Sequence, residues 1–152
     1  MDENIRSLSS YLPSSRLVAW YKIKTSDFKK VDRVLVYLCS LHPSGYIREK
    51  AVEELSQIKD GQELLYLLIR LNDWVGPVRA QSRLAVDERI NSEYASKFIN
   101  NLPLVIRLRS RNRVSHHHIV ESVFGLLNLE ESFQAVMNGL ESSTFITKRM
   151  CY

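Results

Sequence analysis

Two cysteines, Cys39 and Cys151, are all the thiols the 152 residues contain, and they lie far apart with no CxxC partner. That excludes a disulfide framework and a zinc knuckle, and it points to a reducing, cytoplasmic setting. Cys39, inside an apolar run, reads as a small buried hydrophobe. Long hydrophobic runs are missing too. The longest candidate, residues 34–41, is far shorter than the roughly 20 residues needed to cross a bilayer, so no membrane partner is expected. The start, Met1-Asp2-Glu3-Asn4, is acidic and polar rather than a secretory leader. With 5 Gly and 4 Pro, the composition is neither collagen-like nor low-complexity, and 45% hydrophobic content argues against wholesale disorder. There is no Gly-rich phosphate loop, no GxSxG elbow and no HExxH pair, so the chain offers no recognisable catalytic motif and no cofactor is expected.

Charge of one sign is missing from two consecutive stretches. Residues 94–120 hold five basic side chains (Lys97, Arg107, Arg109, Arg111 and Arg113) and no acid. Residues 121–147 hold four acids (Glu121, Glu130, Glu131 and Glu141) and no Lys or Arg. The net charge of +4 is modest for a nucleic-acid binder, yet this dipolar arrangement suits a surface that faces a partner.

Helical periodicity fills the chain, and strand-like alternation is scarce. Pro13-Ser14-Ser15 opens a short helix through Tyr21. Thr25, Ser26 and Asp27 offer N-caps for a helix over 27–41, with Val31, Val34, Leu35 and Leu38 on one face. His42-Pro43-Ser44-Gly45 breaks it, and helices follow over 46–57 and 62–71, the second apolar enough to be buried on several sides. After Asn72-Asp73-Trp74-Val75-Gly76-Pro77 the pattern predicts helices over 77–90, 91–99, 103–109, 115–127 and 129–140, and the start of another near Ser143. Helices this short cannot bury a face alone and must stack on one another.

One internal repeat stands out. Ile47-Arg48-x-x-Ala51-x-x-x-Leu55 returns as Val78-Arg79-x-x-Ser82-x-x-x-Val86, with every position shifted by the same interval. The aliphatic and small residues share a helix face, the small central residue permits close helix approach, and the arginine sits at the edge. With Asp73 ahead of it, the second copy resembles the HEAT-repeat family, in particular its short bacterial, phycobilisome-lyase-like variety. His42 stands where Asp73 stands in the better copy, and residues 115–140 keep the helix pair without the Val-Arg signature. The clear resemblance covers residues 43–104.

The resemblance implies an all-α fold: an α-solenoid of antiparallel helical hairpins in one HEAT-like domain over 1–152. It makes Asp73 and Arg79 a structural pair that ties adjacent loops. The last residues, 147–152, carry no polar cap, so the chain is expected to be an N-terminal fragment of a longer solenoid, or to be covered there by a partner. The function expected is that of a non-catalytic scaffold or protein-binding module. Arg107, Arg109, Arg111 and Arg113 form its anionic-partner contact, because four guanidiniums so close in sequence suit phosphates or a carboxylate-rich peptide. The alternative is a nucleic-acid-binding protein or a HEAT-like alkylpurine DNA glycosylase, with Asp73 beside Trp74 in an aromatic-lined cleft. His116, His117 and His118 are adjacent, point about 100° apart on a helix and do not make a metal site.

Overall fold

The computed structural model describes residues 22–30, 32–111 and 113–141. Among them are eight α-helices, three 3-10 turns and no strand. The expected helices over 13–21 and from Ser143, together with Trp20, Val31 and Cys151, lie outside the described residues. The chain divides into two compact units, Met1–Leu55 and Ser56–Tyr152.

In the first unit the expected helix over 27–41 is broken in two. Thr25–Lys30 forms a 3-10 turn, and helix α1 begins only at Arg33, spanning Arg33–Cys39. The cap is Asp32, not the Thr25–Asp27 cluster: its Oδ1 accepts the Leu35 amide at 2.8 Å, which satisfies one of the orphan donors of the first turn. Asp27 is occupied closer to home, accepting from the Lys24 amide and the Ser26 hydroxyl. The buried face shifts accordingly. Val34 is exposed, while Val36, Tyr37, Leu38 and Cys39 are buried. Phe28, Leu38, Cys39, Ile47 and Ala51 form the apolar cluster of this unit, with Ile23 and Leu35 packed against it. Helix α2 runs Gly45–Gln57 and buries Ile47, Ala51, Val52 and Leu55, an i, i+4, i+8 set with one neighbour.

In the second unit, α3 is Glu63–Arg70 and α4 is Gly76–Asp87. The two pack together, joined by the short turn at 71–75. Helix α3 is amphipathic rather than buried all round: Leu64, Leu67 and Leu68 face inward, and Leu65 is exposed. Pro77 sits within the first two positions of α4, where its missing N–H costs nothing. A 3-10 turn, Ser92–Tyr94, leads into α5, Ala95–Asn100, and then α6, Leu102–Leu108, with Pro103 again near the start. Asn91 does not cap this segment; its amide side chain donates back to the Glu88 carbonyl instead. Helix α7, His117–Leu127, contacts α5 and α6. A further 3-10 turn, Glu130–Ser132, precedes α8, Phe133–Leu140, which packs on α5.

The repeated motif has a common local geometry. Arg48 Nη1 donates to the carbonyl of His42, six residues back, at 2.8 Å; Arg79 Nη1 donates to the carbonyl of Asp73, also six back, at 2.8 Å. Ahead of each helix a side chain accepts the amide two residues on. His42 Nδ1 takes Ser44 N–H at 3.0 Å, and Asp73 Oδ1 takes Val75 N–H at 2.9 Å. The imidazole thus does what the carboxylate does in the other copy. Ala51 and Ser82, the small central residues, are both fully buried.

Candidate functional site

Asp73 and Arg79 do meet, through the Asp73 backbone carbonyl. The carboxylate itself faces Arg70, whose Nη1 lies 2.9 Å from Oδ2, and its side chain is 1% exposed. A glycosylase-type role needs an aspartate open to a cleft, and this one is buried and engaged on both oxygens. Its neighbour Trp74 points the other way in exposure, at 69%. The dipeptide therefore holds a turn; it does not line a cleft around an accessible carboxylate.

The basic segment occupies the end of α6 and the loop to α7. Arg107 is in the last turn of α6, where a cation is favoured by the helix dipole. Ser110 Oγ closes that turn by donating to the Arg107 carbonyl at 2.9 Å. Arg107, Arg109, Arg111 and Arg113 are all exposed. They are not equivalent, because an acid from outside residues 94–120 reaches one of them. The start of α7 brings Glu121 back beside the end of α6, so Arg109 Nη2 lies 3.2 Å from Glu121 Oε1. The Arg109 guanidinium also sits 5.2 Å from the centre of the Phe124 ring. Both partners of this ion pair are about half exposed, so it contributes about 0–1 kcal/mol. It orients Arg109 more than it stabilises the fold. Arg107, Arg111 and Arg113 have no acidic partner among the described residues.

An open groove of about 760 Å³ runs beside this segment, with Arg109, Arg111, His116 and Glu121 in its lining. The three histidines part company there. His117 is exposed, 3.8 Å from Glu121 Oε1, and His118 is exposed as well. His116 is 6% exposed, and its Nε2 has no hydrogen-bond partner among the described residues. Burial, and then the positive fields of Arg83 and Arg79, hold its pKa below the ordinary histidine value. The neutral ring is favoured, so His116 does not place a buried cation beside the exposed arginines of the groove. Among the described residues no three His, Cys, Asp or Glu side chains gather closely enough to hold a metal ion.

Sequence reasoning missed a buried and heavily connected polar group. Arg89, just after α4, is 1% exposed. Its Nε meets Glu63 Oε1 at 2.7 Å, its Nη1 donates to the Ala85 carbonyl at 2.6 Å, and its Nη2 donates to the carbonyls of Ser56 at 3.0 Å and Ile58 at 2.5 Å. Tyr94 Oη donates to the same Glu63 oxygen at 2.7 Å. Glu63 is fully buried, and its Oε2 has no hydrogen-bond partner among the described residues. Together these contacts fasten the 56–63 loop to the end of α4 and to the 92–94 turn. A signal was present: Glu63 and Tyr94, like Ile58 and Arg89, are separated by the same interval as the two copies of the repeat.

The chain was compared with protein-family models, with curated proteins and with solved structures, and none of the three matches it.

Proposed function

We propose that the chain is a non-catalytic binding module built from HEAT-like helical hairpins, and that Arg107, Arg109, Arg111 and Arg113 receive an acidic segment of a protein partner. The observation that carries the reading is the charge arrangement at the end of α6. Among the described residues three exposed guanidiniums have no acidic partner, a fourth is held in place by Glu121 and Phe124, and a groove lies alongside. Guanidiniums bind carboxylates bidentately, and exposed ones lose little hydration until a partner arrives. The HEAT-like reading rests on the matching arginine-to-carbonyl contacts that Arg48 and Arg79 make in the two copies of the repeat. Stacked hairpins of that kind offer a long surface to partners. An acidic peptide is favoured over nucleic acid because no exposed aromatic is interleaved with the arginines for base stacking.

Fluorescence anisotropy with a labelled Asp- and Glu-rich peptide tests this directly. The wild-type chain is compared with one carrying alanine at Arg107, Arg109, Arg111 and Arg113. Binding that disappears in the substituted chain supports the reading. Absence of binding at low salt refutes it. Single- and double-stranded DNA and RNA go through the same salt series. Tighter binding to one of them, falling linearly in log salt with a slope of about −0.9 per duplex phosphate neutralised, replaces the acidic peptide with nucleic acid.

A further inference from the structure

Among the described residues another exposed face has a character opposite to that of the basic surface. Helix α8 is rich in apolar residues, yet Gly139 is its one buried residue. Leu129 is 52% exposed, Phe133 62% and Met137 37%, at a spacing of four. Phe133 and Met137 lie about 40° apart around the helix, on one face. Leu129 and Phe133 also line an open groove of about 710 Å³, along with Leu127, Glu130, Glu131 and Val136. Single exposed apolar side chains are ordinary; a stripe that continues into a groove is not.

The rim says what kind of partner fits. Glu130 and Glu131 are exposed, line the groove and form no ion pair among the described residues. The whole stretch 121–147 carries no Lys or Arg to answer them. Gln134, also on the rim, is engaged along the helix, its Nε2 donating to Asn138 Oδ1 at 3.0 Å. An occupant must therefore bring an apolar edge and positive charge beside it. Among the described residues there is no strand, so an extended peptide finds no edge on which to build a ladder. A helix instead matches the four-residue spacing of the stripe with its own i, i+4 apolar residues.

We propose that the groove formed by the Glu130–Ser132 turn and α8 docks an amphipathic helix of a partner protein that carries Lys or Arg beside its apolar face. This goes beyond the acidic-peptide reading, uses other residues and does not depend on it.

The test is anisotropy of a labelled Leu/Lys peptide of about 18 residues, long enough to be helical when bound, against the full chain. A peptide of the same composition, reordered to destroy the helical apolar face, is the control. The proposal expects the amphipathic peptide to bind and the reordered one to bind at least about tenfold more weakly. It expects Phe133→Ser to weaken binding by about tenfold or more, and Glu130→Lys with Glu131→Lys to weaken it and flatten its salt dependence. Phe133 is exposed, so unchanged far-UV circular dichroism and melting of F133S verify that the fold is intact. Equal binding of the two peptides overturns the proposal, as does wild-type affinity in both variants. So does self-association of the wild-type chain in sedimentation equilibrium that F133S abolishes, because the occupant is then a second copy.

Discussion

Replacing Arg89 by Met removes at least five connections, all among the described residues, from a side chain that is almost wholly buried. The side chain is 1% exposed and its partner Glu63 is fully buried. The substitution withdraws the Nε contact to Glu63 and the donors to the Ala85, Ser56 and Ile58 carbonyls. It also removes the cation that lies 5.8 Å from the centre of the Tyr94 ring. What remains around Glu63 Oε1 is the Tyr94 hydroxyl. Losing one member of a buried pair costs about 3–5 kcal/mol, chiefly because the other charge is left desolvated and uncompensated. That is a large part of the roughly 5–15 kcal/mol typical of a whole domain, and it lowers the melting temperature by about 6–20 °C. The pair is not in itself a strong stabiliser, so Arg89→Met combined with Glu63→Leu should lose less than the sum of the single losses, by about 1–3 kcal/mol. Urea titrations followed by far-UV circular dichroism measure all three variants. A loss below about 1 kcal/mol for R89M, or simple additivity in the double variant, refutes the view that Arg89 and Glu63 act as one buried unit.

Three further outcomes follow from the same geometry. Burial first, and then the hydrogen bond to Glu63, push the Tyr94 phenol up to about 12; the unfolded value is about 10. The stability this group contributes is therefore complete below pH ~10 and lost as pH rises from there through about 12. Urea melts should show Tyr94→Phe less stable than wild type at neutral pH by about 1.5–3 kcal/mol, with the gap narrowing across that alkaline window. His116 has the opposite linkage. Its folded pKa lies below the unfolded value of about 6.5, so its contribution is present above that value and lost as pH falls through the folded one. Thermal melts between pH about 7.5 and about 5 should find that His116→Asn loses less stability on acidification than wild type; an equal loss counts against a buried neutral imidazole. Gly61 has φ +86°, and a Cβ there would stand 2.5 Å from Lys97 Cε. The lysine tail can move aside but the backbone cannot, so Gly61→Ala should cost about 1–2 kcal/mol in a chemical denaturation curve.

Helix positions were legible where local chemistry settles them. Gly76-Pro77 and Leu102-Pro103 mark starts because proline belongs in a first turn, and the apolar sets of 46–57 and 77–86 have unambiguous phase. The reading failed where two neighbours compete for one task. Thr25, Ser26, Asp27 and Asp32 are all competent caps, and nothing in the string shows that Asp27 is absorbed by Lys24 and Ser26 while Asp32 reaches Leu35. The basic segment was visible as composition, but its division into one braced and three open arginines was not. That division depends on α7 carrying Glu121 and Phe124 back to Arg109 from several turns further along the chain. The Arg89 node was further from view, since three of the acceptors described above lie 26 to 33 residues away. A charge next to an apolar run looks like a solvated flank until the partner's position is known.

The arginines of the repeated motif end on main-chain oxygens, and this separates what a substitution can change from what it cannot. Every residue type brings a carbonyl, so position 42 can pass from an acid to a histidine without the arginine losing its acceptor. Mutational drift on the acceptor side is therefore nearly silent for this contact, whereas replacing Arg48 or Arg79 removes it outright. A neutral acceptor is also barely affected by ionic strength. A helical unit fastened in this way can shed the more conspicuous half of its signature and keep its shape.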